Sequence, residues 1–385
     1  MTTVVDRLRG SVAAAGPSLR VARPSSRGDV LFVVVLALLV AVHATIFFAV
    51  LVLAPVVPAE RQSLALLHLP VEVARALVLP FHAVLLVSLF VLGRRAAGRW
   101  AGVGALLAVL ALNLRADPAA VVYGPSVATG GWVAASLLAA GIAVLPRRRL
   151  AAAALVGAAA VFHGLAVVAL PAFLVALLLF PAPSGPRAAD RWRHVAAFAG
   201  VWAIPFVAGQ LVWLLDLGGP AYLQRVAAYT AEFGPHPLVP VLEQQVIVFG
   251  AWHFTTLLTI ALAAFLFLAA GTGVVRYFVV PRPEESGAPP LVVARRLPME
   301  LWAAGLSAVG FAVWWSFSGS RVVIDPNLPA MAGIVPLLTA MAYRGAKWLL
   351  TVDRFWALCG VLYLTGLVAA RSAQLLMTLV QAFTA

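Results

Sequence analysis

The sequence contains few of the residues that build soluble domains or redox sites. Only 11% of its 385 residues are charged and 14 are acidic, whereas 63% are hydrophobic. No water-soluble fold could remove that much apolar surface from water, so the composition excludes a soluble globular protein. The single cysteine, Cys359, excludes an internal disulfide and any metal site built from several thiolates.

Several functional motifs are also missing. The sequence has no Gly-rich phosphate-binding loop and no nucleophile motif, so ATP-driven activity is not expected. The histidines His43, His82, His163 and His253 lie on different segments without ligand-like spacing, so neither a metal site nor a cofactor is predicted. The absence of an evident internal repeat disfavours a transporter built from inverted repeats.

Long apolar runs are the dominant feature of what is present. They approach the ~20 residues that cross ~30 Å of hydrocarbon, and they predict an all-α integral membrane protein with about eleven transmembrane helices. The predicted segments are 30–54, 74–93, 100–114, 131–146, two short helices within 150–180, 194–216, 247–271, 299–317, 327–343 and 355–372. Residues 1–29 are predicted to form a basic cytoplasmic tail before a single membrane domain, 30–385.

The net charge of +13 comes mainly from arginines that cluster in alternate loops. Because basic residues accumulate on the cytoplasmic side of membrane helices, this distribution explains the charge without nucleic-acid binding. It predicts a cytoplasmic N-terminus and a functional extracytoplasmic face, with external loops at 55–73, 115–130, 217–246 and 318–326. The Ala- and Arg-rich composition is typical of high-GC bacteria, so we expect a multi-pass protein of a bacterial plasma membrane.

The stretch 150–180 is apolar, yet both of its flanks are rich in arginine. A single crossing would place one arginine cluster on the wrong side of the membrane. We therefore predict a hairpin of two short helices that turns near His163 and Gly164. Helices of about 15 residues are short for a full span, so the hairpin requires shielding by neighbouring protein or a thinned bilayer.

The external segment 217–246 alternates apolar and polar residues at helical spacing. Leu223 and Val226 alternate with Arg225, which predicts a short amphipathic helix along the membrane interface. Tyr222 suits the headgroup zone. The alternative interpretation is an ordinary packed loop over the bundle.

Arg321 stands on the predicted external side, against the prevailing charge asymmetry. It follows the small residues 318–320 and precedes Asp325 at the start of a predicted helix. A guanidinium suits phosphate because its planar fork offers several donors and keeps its charge. The alternative is a structural salt bridge between Arg321 and Asp325.

Three stretches resemble GT-C glycosyltransferases, across roughly residues 100–345. Residues 320–329 (SRVVIDPNLP) resemble the late motif of that superfamily, in which an arginine shortly precedes proline-containing sequence that opens a membrane helix. Residues 117–126, ahead of Gly131 and Trp132, resemble its second external loop. The hairpin at 150–180 is similar to its paired short membrane helices.

The resemblance implies transfer of a sugar from a polyprenyl-phosphate donor to an envelope glycan or glycolipid acceptor, outside the cytoplasm and with inversion. The family's base is an aspartate early in the first external loop, but residues 55–73 contain none. The candidate residues are Glu60 and Asp117 as base, Arg321, Arg225 and Tyr222 for phosphate or lipid, and His68, Glu72 and His163 for the acceptor.

Two other classes of function stay open. The missing aspartate favours a non-catalytic GT-C-like scaffold or lipid-binding subunit of an envelope assembly. A transporter for a lipid-linked solute is disfavoured, because alternating access usually needs polar groups near the midplane. The expected partners are the polyprenyl-phosphate-linked sugar, membrane lipids and proteins of envelope biosynthesis.

Overall fold

The computed structural model describes residues 27–53, 71–113, 130–180, 188–233, 298–317 and 328–352. Within these ranges the chain is helical and contains no β-strand, which confirms the all-α prediction. By contact clustering the chain forms two units, residues 1–41 and 42–385. In the first unit, the described residues 27–41 belong to a helix.

The described residues contain ten α-helices, numbered in chain order. They are α1 (Arg27–Leu53), α2 (Val71–Ala97), α3 (Arg99–Asn113), α4 (Gly130–Val144), α5 (Arg149–Phe162), α6 (Leu170–Leu179), α7 (Ala188–Leu217), α8 (Gly219–Phe233), α9 (Met299–Phe317) and α10 (Met331–Val352). Short 3-10 segments, Gly164–Ala169 and Leu328–Ala330, precede α6 and α10.

Three described helices contain stretches long and apolar enough to cross a membrane: Gly28–Thr45, Leu79–Ala97 and Arg191–Leu217. Shorter apolar stretches are Arg99–Val109, Gly130–Val144, Arg149–Phe162, Gly164–Leu179 and Met299–Trp314. These lengths and compositions are compatible with a membrane protein. The predicted segments 247–271 and 355–372 lie outside the described residues.

Several helices extend beyond the apolar segments that the sequence predicts. Helix α2 continues past the predicted end at residue 93 to Ala97, and α10 continues past 343 to Val352. Arginine and lysine are good helix formers, so a helix can continue through basic residues after its apolar run has ended. Hydropathy therefore locates these helices but underestimates their lengths.

One end of the bundle is held together by arginine side chains. Arg95 of α2 donates to the carbonyl oxygen of Ala143 in α4 (2.6 Å) and pairs with the Glu300 carboxylate of α9 (N···O 3.8 Å). Arg344 of α10 donates to the carbonyl oxygen of Ala96 in α2 (2.5 Å). The C-terminal ends of α2, α4 and α10 and the start of α9 therefore meet here, and this end is termed the arginine end.

The predicted hairpin is present. Helix α5 ends at Phe162, His163 is extended (φ −147°, ψ 110°), and the chain returns through a 3-10 segment into α6. Nη2 of Arg149 donates to the carbonyl oxygen of Phe180 (2.9 Å), so the two ends of the hairpin meet. The 14 residues of α5 span roughly 21 Å, less than the hydrocarbon thickness of about 30 Å.

Small residues allow α5 to pack closely between α4 and α7. A Cβ atom at Gly157 would collide with the backbone carbonyl of Trp202 in α7, and one at Gly141 of α4 would lie 2.9 Å from Cγ2 of Val156. Close approach of this kind increases van der Waals contact between helices where lipid provides no hydrophobic driving force. The neighbouring helices thus shield the short hairpin, as its length requires.

The same contacts give the direction of each helix. Gly157 faces Trp202 and Val161 faces Gly209, so α5 and α7 run in the same direction, away from the arginine end. Gly130, the first residue of α4, lies against the carbonyl of Phe162. The opposite end of the bundle is therefore marked by the start of α4, the end of α5 and the end of α7, and is termed the distal end.

Candidate functional site

Four of the eight predicted site residues belong to chain segments whose structure is not described. Glu60, His68, Asp117 and Arg321 lie outside the described residues, and Glu72 lies in the first turn of α2. Helices α3 and α9 begin at the arginine end and run away from it, and α4 begins at the distal end. The helix ends that flank Asp117 and Arg321 therefore lie away from the arginine end.

Tyr222 and Arg225 are brought together on α8, the helix predicted in the external segment. Gly218 adopts a positive φ of 76°, which favours glycine, and it separates α7 from α8. The Tyr222 hydroxyl donates to Oε1 of Gln210 (2.9 Å), and the Arg225 guanidinium carbon lies 3.4 Å from the ring centroid of Trp213. These four residues are termed the corner site.

Gln210 and Trp213 were not among the predicted site residues. They lie three positions apart on α7, so both point to the same face of the helix. The sequence signal that could have identified them is a polar and an aromatic residue at this spacing near the end of an apolar helix. Its meaning depended on the turn at Gly218, which brings Tyr222 and Arg225 of α8 against α7 and which hydropathy does not predict.

The stacking geometry leaves Arg225 suited to binding an anion. A guanidinium that lies over an aromatic ring uses its flat face, so the N–H groups at its edge can still donate in the plane. Partial burial lowers the pKa of Arg225, because it removes part of the solvent that stabilises the cation. A phosphate at the edge of the guanidinium would offset this loss of solvation.

Beside Tyr222 and Arg225, α8 carries exposed apolar side chains. Leu223 is 66% exposed and Val226 is 42% exposed, whereas Tyr222 and Arg225 contact α7. An amphipathic helix with this arrangement suits a membrane interface, where its apolar side enters the acyl region. The corner site thus combines a held cation with an adjacent lipid-compatible surface.

Two buried histidines meet inside the bundle, which the sequence did not predict. A hydrogen bond joins Nε2 of His43 to the carbonyl oxygen of Leu106 (3.1 Å), and the His43 and His82 ring centroids are 5.8 Å apart. His82 also stacks on Trp132 at 5.3 Å. Within the described residues, no group of three or more His, Cys, Asp or Glu side chains is placed to hold a metal ion.

His163 lies at the hairpin turn, as predicted, and its side chain is buried. The preceding residue, Phe162, pairs with Phe81 of α2 at a ring distance of 6.3 Å. His163 is thus enclosed in the bundle, whereas Arg225 is exposed on α8. Contact between His163 and an acceptor stays a prediction.

Comparison of the chain with protein families, curated proteins and solved structures gives no match.

Proposed function

We propose that the protein transfers a sugar from a polyprenyl-phosphate donor to an envelope glycan or glycolipid acceptor at the distal end. The observation that carries this proposal is the corner site, where Arg225 is held over Trp213 on a helix with an exposed apolar face. A polyprenyl phosphate has the matching chemistry, since it joins an anionic phosphate to a long apolar chain. The type of reaction is proposed from the sequence resemblance to GT-C glycosyltransferases.

The distal end faces the outside of the cell in this proposal. Support comes from the arginine end, which gathers Arg95, Arg149 and Arg344 at one end of the bundle. Basic residues favour the cytoplasmic side, so the opposite end would be extracytoplasmic. The corner site would then meet lipid of the outer leaflet in a bacterial plasma membrane.

The proposed reaction is an inverting displacement. Glu60 or Asp117 removes the proton from the acceptor hydroxyl, and the resulting oxygen attacks C1 of the sugar. The bond from C1 to the phosphate oxygen breaks, and polyprenyl phosphate departs with its electron pair. Arg225 and Arg321 stabilise the charge that develops on the phosphate. The Tyr222 hydroxyl turns from Gln210 to donate its one hydrogen bond to the phosphate. His68, Glu72 and His163 are the candidates for holding the acceptor.

A second candidate function is a non-catalytic subunit that binds lipid and supports an envelope assembly. The absence of aspartate from residues 55–73 favours it, because the related enzymes place their base there. The corner site would then bind the lipid without a subsequent displacement.

Binding and turnover assays on the same purified protein separate these two functions. Polyprenyl phosphate should bind the wild type about tenfold more tightly than Arg225→Gln, since a charge-assisted contact is lost. Arg94→Gln is the matched control, because it removes an exposed arginine at the arginine end. Wild-type binding without sugar transfer to any envelope acceptor would support the subunit, and unchanged binding by Arg225→Gln would overturn the corner site.

Turnover then assigns the catalytic roles. In the transferase, Glu60→Gln should keep lipid binding and lose sugar transfer if Glu60 is the base, whereas Asp117→Asn should do so if Asp117 is the base. Arg321→Ala should weaken binding of the phosphate. Full transfer activity in both carboxylate variants would contradict the proposed mechanism.

A further inference from the structure

Helices α5 and α7 begin side by side at the arginine end and enclose an open cavity of about 680 Å³. Basic or imidazole side chains line it from both helices: Arg148, Arg149, Arg193 and His194. The other described lining residues are small or apolar, including Leu150 and Ala151, and none of the described lining residues is acidic. This cavity is termed the basic pocket.

The charges of the basic pocket converge from two directions. Arg148 and Arg149 precede or open α5, whereas Arg193 lies in the first turns of α7. Cationic side chains that share one cavity repel each other, and a bound anion would turn this repulsion into attraction. Arg148 and Arg193 are both exposed, so their guanidinium groups are accessible to a ligand.

The start of α5 adds backbone donors to the same cavity. Arg148 occupies the cap position and forms no side-chain cap hydrogen bond, while the next residues, Leu150 and Ala151, line the cavity. N–H groups in the first turn of a helix lack intrahelical acceptors and carry partial positive charge. They therefore complement the guanidinium groups as donors to phosphate oxygens.

One of these arginines is already fixed before any ligand binds. The hydrogen bond from Arg149 to the carbonyl oxygen of Phe180 ties the start of α5 to the end of α6. A side chain restrained in this way loses less conformational entropy when a ligand arrives. The hairpin contact thus preorganises one wall of the basic pocket.

Apolar surface beside the pocket identifies the ligand class. Leu150, which lines the cavity, is 53% exposed, and Trp192, which precedes Arg193 in α7 without lining the cavity, is 61% exposed. Exposed tryptophan is typical of the membrane interface, and apolar surface beside a cationic pocket suits a headgroup with attached acyl chains. A free phosphate would use the arginines but not this apolar surface.

We infer that the basic pocket binds the phosphate headgroup of an anionic phospholipid, at the end of the bundle opposite the corner site. This lipid is separate from the proposed sugar donor, and the inference does not rest on sugar transfer. The contacts are made by Arg148, Arg149 and Arg193, with the first-turn N–H groups of α5. His194 adds a further donor to the same headgroup.

Lipid titration of the full-length protein in zwitterionic detergent tests this inference. Short-chain phosphatidylglycerol is titrated into wild type, into Arg148→Gln/Arg193→Gln, and into the control Arg94→Gln/Arg147→Gln. Both double variants remove two positive charges from exposed arginines near the same end, but only the first pair lines the cavity. We expect the pocket variant to bind about tenfold more weakly and the control to bind within about threefold of wild type.

Four results would overturn the inference. Equal loss of affinity in both double variants would indicate general electrostatic attraction, and no loss in either would exclude the pocket. Phosphatidylcholine of the same chain length binding as tightly as phosphatidylglycerol would remove the role of net charge. Displacement of the lipid by inorganic phosphate at the lipid's own concentration would assign the pocket to a soluble phosphate compound. Thermal unfolding of each variant without lipid verifies that the fold is intact.

Discussion

The two ends of the bundle use arginine in different ways. At the arginine end, Arg95 and Arg344 donate to carbonyl groups of neighbouring helices, so their side chains connect helix ends. At the distal end, Arg225 lies over the ring of Trp213 and is exposed on α8, which contacts α7 through Tyr222 and Arg225. Arg95 and Arg344 thus stabilise helix packing at one end, whereas Arg225 is available to a ligand at the other.

This difference separates stability from binding. Losing an arginine-end contact should lower the stability of the bundle and leave corner-site binding unchanged. Losing a corner-site contact should weaken lipid binding. Substitutions at each end, and between the ends, therefore test whether stability and binding are separate.

The largest effect is expected between the two ends, where α5 packs against α7. Gly157→Ala should lower the free energy of unfolding by about 1–3 kcal/mol, because the added Cβ collides with the backbone carbonyl of Trp202. Gly200→Ala on α7 is the matched control, since a Cβ there meets nothing within 4 Å. Unfolding in detergent, followed by circular dichroism, measures both, and equal stability would show that α5 and α7 are not in close contact.

The next largest effect is expected at the arginine end. Glu300→Gln removes the charge that pairs with Arg95 and should cost about 1–2 kcal/mol of stability, discounted because Arg95 is partly exposed. Polyprenyl-phosphate binding should stay within about twofold of wild type, because the corner site lies at the other end. Loss of binding without loss of stability would contradict the division between the ends.

A smaller change in stability is expected for the aromatic contact of the corner site. Trp213→Leu should cost about 0.5–1 kcal/mol through loss of the cation–π contact, in addition to the packing lost with the indole. The free energy of lipid binding should change more than the free energy of unfolding, because Arg225 loses its contact with the Trp213 ring. A double-mutant cycle with Arg225→Gln measures the coupling, and strictly additive losses in binding would contradict a shared site.

The smallest effect is expected for Tyr222→Phe. It removes the hydrogen bond to Gln210 and should cost about 0.5–1 kcal/mol of stability while α8 remains folded. The affinity for lipid should fall about threefold, because the phosphate loses one hydrogen-bond donor. Binding measured beside Arg225→Gln ranks the two contacts, and a larger loss for Tyr222→Phe would assign the leading role to the tyrosine.

The sequence predicts the elements that depend on local pattern and charge. The hairpin at 150–180 follows from arginines on both flanks, and the structure turns at His163 as that rule requires. Helix α8 follows from the spacing of Leu223, Val226 and Arg225. In both cases neighbouring residues carry the signal.

Contacts between distant segments carry no such signal. His43 and His82 belong to different helices, and only the tertiary fold brings their ring centroids to 5.8 Å. The pairing of Arg95 with Glu300 joins residues more than 200 positions apart, so spacing cannot predict it. Tyr222 and Arg225 were predicted individually, but their partners on α7 depended on the fold of the α7–α8 turn.

Photochemical labelling tests the central claim most directly. A polyprenyl phosphate with a photoreactive group near its phosphate is bound to the full-length protein, irradiated, and its adducts are located by mass spectrometry. The account predicts adducts on α8 and the last turns of α7, and their loss in Arg225→Gln but not in Arg94→Gln. Adducts confined to the arginine end, or equal labelling of α8 in both variants, would contradict it.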